Sequence, residues 1–88
     1  MGKYNVPKIT YSRNAIKDIK KLDRVAKKRI GKKILVYSKS PLRYAKKLSS
    51  SRLGGYRWRT GRYRIIFDLK GKTIQILRVR DRKDVYKK

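Results

Sequence analysis

From Tyr56 onward the apolar residues recur at every second position, and the run is cut twice by glycine, at Gly61 and Gly71. A period of two sends successive side chains to opposite faces of an extended strand. A glycine between two such runs supplies the backbone freedom that a tight reversal needs. The segment therefore predicts three consecutive antiparallel strands, YRWRT, RYRIIFDL and TIQILRVR. In the second, Tyr63, Ile65, Phe67 and Leu69 share one face, and Arg64, Ile66 and Asp68 the other. In the third, strict alternation sets Gln75, Leu77 and Val79 opposite Ile74, Ile76, Arg78 and Arg80.

A sheet with an apolar face needs a cover, and the first half of the chain provides one. YNVPKITYS alternates as a short strand, but Pro7 cannot donate to a ladder, so the strand belongs at an edge or bulges there. Ser12 is suited to cap a helix that carries Ala15, Ile16, Ile19 and Leu22 at helical spacing and closes at KLD. A second helix begins near Arg24 with the stripe Ala26, Ile30, Ile34 and Tyr37; its other faces are almost all Lys and Arg. Gly31 weakens it by about 1 kcal/mol relative to Ala, and Pro41 ends it by pushing Ser40 out of the helical region. The short link predicts an antiparallel helical hairpin. LRYAKKLSSSRLGG, rich in Ser and Gly, reads as loop. The expected architecture is one α+β domain over residues 1–88, an antiparallel β-sheet with an N-terminal α-helical hairpin packed on one face.

Charge narrows the function. The 88 residues include 29 Lys and Arg against five acids, a formal net charge of +24. All five acids are aspartates: Asp18, Asp23, Asp68, Asp81 and Asp84. Self-repulsion on this scale opposes the compact state and points to a polyanionic partner, with nucleic acid first, an acidic protein second and an anionic membrane third. No apolar run approaches a membrane span, and MGKYNVPKIT lacks both a signal-peptide core and, with Val6 at the sixth position, a myristoylation pattern. The chain has no Cys and no His, which excludes disulfides, thiolate or imidazole metal sites, haem and every His-based triad. A cytoplasmic protein without metal or cofactor is expected.

The stretch RWRTGRYRIIF concentrates four arginines ahead of an apolar strand. Residues two apart on a strand point the same way, so Arg57 and Arg59 project together. Arg64 joins them if the turn at TGR sets the register, and Arg80 can line up beside Arg64 from the next strand. Such a surface fits phosphate, because the planar guanidinium fork grips it with two hydrogen bonds. The same cations also read as solubilising charge on Arg57, Arg59 and Arg62, with Asp68, Asp81 and Asp84 as ion-pair partners for Arg64 and Arg80. Trp58 and Tyr63 alternate in phase with core positions and are expected in the core. Tyr86, in a polar tail, is the aromatic expected to touch substrate.

Four segments, SRNAIKDIKKLD, KSPLRYAKKL, GGYRWRTGRYRIIF and VRDRKDVYKK, make the chain resemble the RelE/ParE toxin superfamily from Ser12 to Tyr86, and within it the RelE branch of mRNA interferases. The resemblance implies a twisted antiparallel sheet with two N-terminal helices, and a toxin of a type II toxin–antitoxin system. It implies entry into the ribosomal A site, cleavage of the bound mRNA, and neutralisation by an acidic, RelB-like antitoxin. Arg64 and Arg80 match the family's active-site arginines, and Tyr86 its C-terminal tyrosine. Lys46, Lys47, Arg52, Arg57, Arg59, Arg62, Arg82 and Lys83 are the candidate RNA contacts. Where relatives carry a Lys-Gly or Arg-Gly pair, this chain reads SSSRLGG, and Arg52 supplies the cation from a shifted position.

The chemistry implied is modest in its needs. RNA carries its own nucleophile, the 2′-hydroxyl, so the enzyme has to orient it, stabilise a pentavalent dianion and move two protons. Without His, Cys or Glu the proton carriers are Asp, Lys and Tyr, and neighbouring cations favour a phenolate. Two alternatives share the composition: a ParE-like DNA gyrase inhibitor that cleaves nothing, and a non-catalytic basic domain that binds RNA or the ribosome.

Overall fold

The computed structural model describes residues 8–48 and 55–82. Strand β1 (Lys8–Tyr11) runs into Ser12, whose Oγ accepts the Ala15 N–H at 3.0 Å and caps helix α1 (Arg13–Lys20). Lys17 and Lys20 lie in its last turn, where a cation complements the helix dipole. Helix α2 (Arg24–Ser38) is capped in turn by Asp23, whose Oδ1 accepts the Ala26 N–H at 2.8 Å. The acid that closes the first helix in the sequence reading thus also opens the second.

On α2 the stripe Ala26, Ile30 and Ile34 is buried as its spacing predicts, and Tyr37 packs against the core. On α1 the expected stripe holds only in part. Ala15 is buried and Ile19 and Leu22 pack against the core, but Ile16 remains 45% exposed. The contact seam runs through Ala15, Ile19 and Leu22, and Ile16 stands about 100° round the helix from Ala15.

The glycine-punctuated half forms the expected antiparallel meander: β3 (Tyr56–Thr60), β4 (Tyr63–Lys70) and β5 (Thr73–Asp81). Gly61 (φ 58°) and Gly71 (φ 60°) both sit in the left-handed region at its two reversals. Two features go beyond the expected strand pattern. Lys46–Lys47, inside the stretch read as loop, form a short β2 antiparallel to β3. β1 pairs with β5 in parallel, so the five-stranded sheet, ordered β1-β5-β4-β3-β2, is mixed.

Both helices cover one face of this sheet. Ala15, Ile30 and Ile34 meet Trp58, Ile65, Phe67, Ile74, Ile76 and Val79 in a single buried cluster. Each aliphatic or aromatic side chain fully withdrawn from water there contributes about 1.5–3 kcal/mol. The Trp58 and Phe67 rings lie 4.1 Å apart between centroids, and Trp58 Nε1 donates to the Pro41 carbonyl at 3.0 Å. Trp58 is therefore a core residue, as its phase indicates, and Tyr63 packs against the same cluster.

One irregularity sets the surface chemistry. The β4–β5 register passes from Phe67 opposite Ile76 to Ile66 opposite Arg78, so Leu77 is an extra residue in β5. Strict alternation from Ile74 and Ile76 would drive Arg78 and Arg80 into the core and Val79 out of it. Instead Val79 is 4% exposed and stands opposite Ile65, while Arg78 and Arg80 change sides. The face expected for these three residues is thereby reversed, because a bulge shifts the phase by one.

Candidate functional site

Directly opposed residues on neighbouring antiparallel strands project from the same face. Arg59 opposes Arg64, and Arg64 opposes Arg80, so three arginines form one row across β3, β4 and β5. With neighbouring strands about 4.8 Å apart, the row spans roughly 10 Å of sheet. The next row on the same face is Lys46, Arg57, Ile66 and Arg78. Ile66 is only 6% exposed yet lies outside the core cluster, with Arg57 and Arg78 as its direct cross-strand neighbours. Long arginine stems bury apolar surface while their heads stay polar.

Among the described residues, no aspartate pairs with Arg59, Arg64 or Arg80. Asp68 accepts the Gly55 N–H at 2.6 Å, and Asp81 receives Arg62 through Nε and Nη2 at 3.1 and 2.8 Å. Asp18 takes Arg78, with Nε to Oδ2 at 2.8 Å and Nη2 to Oδ1 at 3.1 Å. Among the described residues, Arg57, Arg59, Arg64 and Arg80 form no ion pair. The ion-pair reading of Arg64 and Arg80 through Asp68 or Asp81 therefore fails, and Asp84 lies outside the described residues.

The electrostatics differ between the two kinds of arginine. Burial, then the like charges of Arg59 and Arg64, push the Arg57 guanidinium below its usual pKa. Its Nε is buried without a hydrogen-bond partner among the described residues. Arg78 is shifted the other way: its hydrogen bonds to Asp18 outweigh partial burial and raise its pKa. Arg57 and its neighbours thus form a cationic site with unused donors, whereas Arg78 is already satisfied.

The remaining candidates fall around this centre. Lys46 joins the Arg57 row, and Lys47, opposite Tyr56, belongs to the alternate row. Arg62 sits in the Gly61 turn in its ion pair with Asp81. The Arg82 N–H donates to the Arg62 carbonyl at 2.7 Å, and Arg82 lines a small cleft with Arg59, Arg62 and Arg64. Arg52, Lys83 and Tyr86 lie outside the described residues. Sequence reasoning passed over Asp18 and Arg78. The signal for them was the spacing of Ile74, Ile76 and Val79, two and then three, which betrays the bulge.

Among the described residues no three carboxylates gather as a metal site, and no helix is long and apolar enough to cross a membrane. No curated protein sequence matches the chain. The family model for the ParE toxin of type II toxin–antitoxin systems matches residues 9–86. Among solved structures, the RelB–RelE antitoxin–toxin complex of Methanococcus jannaschii is similar at 30% identity and a TM-score of 0.69, over 88% of this chain and 94% of that one. The RelBE2 toxin–antitoxin complex of Mycobacterium tuberculosis is similar at 25% identity and a TM-score of 0.75, over 85% and 96%. The Escherichia coli RelBE complex, at 19% identity and a TM-score of 0.59 over 85% and 95%, shares the fold. With the helix pair, the mixed sheet and a family match across nearly all described elements, the chain belongs to the RelE/ParE superfamily of toxins from type II toxin–antitoxin systems.

Proposed function

We propose that this toxin is a ribosome-dependent endoribonuclease, active in the cytoplasm, that cleaves mRNA in the ribosomal A site. The observation that carries the reading is the Arg59–Arg64–Arg80 row, flanked by Arg57 and bare of carboxylate partners among the described residues. Guanidiniums held at fixed spacing by a sheet are organised before substrate arrives. Aimed at a phosphate, they stabilise the charge that grows on its oxygens, usually the largest catalytic contribution. The 2′-oxygen attacks phosphorus, the bond to the 5′-oxygen breaks, and the products end in a 2′,3′-cyclic phosphate and a 5′-hydroxyl. Arg64 and Arg80 stabilise the pentavalent dianion and the leaving oxygen, Tyr86 takes the 2′-hydroxyl proton, and a Lys or Arg of the site gives a proton to the 5′-oxygen as it leaves. Arg57, Arg59, Lys46, Lys47, Arg52, Arg62, Arg82 and Lys83 hold the RNA backbone, with no metal or cofactor.

A phenol and guanidiniums are weak proton carriers, so free RNA should be cut slowly. Positioning by a large partner offsets this, since correct placement alone removes much of a barrier. A cationic toxin also needs masking, and an acidic RelB-like antitoxin that orders on the basic face would supply it. The relatives crystallised with RelB support that partner.

One observation favours a second reading. The matching family model is that of ParE, which supports a gyrase inhibitor on the same fold. Induced expression followed by primer extension across translated messages separates the two. Cuts at codon positions that vanish in Arg80→Ala and Tyr86→Phe are expected. Intact mRNA with trapped gyrase–DNA complexes overturns the nuclease reading in favour of the second. Intact mRNA with ribosome association alone leaves a non-catalytic binding domain.

A further inference from the structure

Arg80 reaches Arg64 only because β5 resumes its ladder one residue out of phase after Leu77. A single-residue slip back would exchange Val79 and Arg80 between core and surface, so something has to hold the shifted half in place. β1 cannot, since its pairing with β5 ends where Tyr11 meets Ile76. From there the exposed edge of β5 is taken over by the start and flank of α1. The Ser12 N–H donates to the Ile76 carbonyl at 2.9 Å, and Ser12 Oγ donates to the Leu77 carbonyl at 2.8 Å. Beyond the bulge, Asp18 Oδ2 accepts the Val79 N–H at 2.9 Å and Arg78 Nε at 2.8 Å, while Oδ1 accepts Arg78 Nη2.

We propose that Asp18 is the positioning residue of the arginine site: by clamping Val79 and Arg78 it fixes the β5 phase that sets Arg80 beside Arg64. Its carboxylate stands in for the missing neighbouring strand at the Val79 edge amide beyond the bulge. It also retires Arg78 from the cationic face, on the row it shares with Arg57. Arg78 is accordingly a structural cation and not an RNA ligand. The catalytic consequence rests on the nuclease reading given above; the register consequence does not.

The test joins two readouts on Asp18→Ala, Asp18→Asn and Arg80→Ala. Cross-strand NOEs between residues 64 and 80, with the exchange rate of the Val79 amide, report the register directly. Single-turnover cleavage of ribosome-bound mRNA reports its use. Asp18→Ala is expected to weaken the 64–80 NOEs, speed Val79 exchange and slow cleavage by about a hundredfold, the effect of a small misplacement of a catalytic group. Asp18→Asn keeps one oxygen for the Val79 N–H, so it should retain the register and lose less activity. It serves as the folded variant if the alanine form does not fold. In an Arg80→Ala background the Asp18 substitutions should slow cleavage little further, because residues that act through one another are not additive. An unchanged NOE and exchange pattern in Asp18→Ala overturns the positioning role, as does full additivity with Arg80→Ala. If the unsubstituted protein cuts no mRNA while its register depends on Asp18, the nuclease reading falls and the register role stands.

Discussion

On the helix side of the meander, Trp58, Ile65 and Val79 stand in one cross-strand row, and each is closed off from water. One residue along, on the other side, Arg59, Arg64 and Arg80 hold equivalent positions and face like charges. The first row gains from apolar burial. The second carries repulsion between directly opposed cations, with no carboxylate among the described residues to relieve it. Strand phase thus separates the buried apolar row from the cationic one, and the separation is one residue wide.

Substitutions on the two rows can break that contrast. Trp58→Ala removes a fully buried ring and its hydrogen bond to Pro41, and should lower unfolding free energy by about 3–5 kcal/mol. Urea denaturation checks it, and a loss no larger than at an exposed site would mean that the covered face does not hold the fold. On the nuclease reading proposed above, Arg64→Ala should slow single-turnover cleavage by about 10²–10³-fold, as for loss of one preorganised donor. Its melting temperature should hold or rise. Destabilisation comparable to that of Trp58→Ala would show that the arginine row is structural after all.

Two smaller effects sharpen the picture. Asp23→Ala strips the α2 cap and should cost about 1 kcal/mol of stability, read by the same denaturation. Arg57→Met removes a buried Nε that has no partner among the described residues, and one charge from a like-charged cluster, so it should raise the melting temperature slightly. The rise should shrink as salt is added, because screening already relieves the repulsion in the parent. A gain that is insensitive to salt would assign the effect to burial alone.

Much of this is legible in the sequence itself. Ser12 announces its helix, the Ala26–Ile30–Ile34 stripe its buried face, and Gly61 and Gly71 their turns, because each depends on residues within a few positions of one another. The features that escaped depend on distant ones. Nothing local in Lys8–Tyr11 says that its neighbour is Thr73–Ile76, running parallel. Two lysines carry no strand signature, so Lys46–Lys47 read as loop. Of the arginine row, Arg59 and Arg64 follow from alternation and one turn, and Arg57 from the same alternation in the row beside it. Arg80 does line up beside Arg64 as expected, but the extra residue at Leu77 is what brings it there. Asp18 was invisible as part of the site, being 60 residues from its partner Arg78.

The pairing of β1 with β5 also has a temporal meaning. The strand at Lys8–Tyr11 is synthesised well before the one at Thr73–Asp81 to which it must attach. Contacts at such separations form late, since loop closure has to precede any reward from them. A nascent chain that stops short of residue 73 lacks the shelf for its own first strand, the acceptor carbonyls for Ser12 and the third member of the arginine row. A product truncated before that point therefore carries neither the completed five-stranded sheet nor the full arginine row.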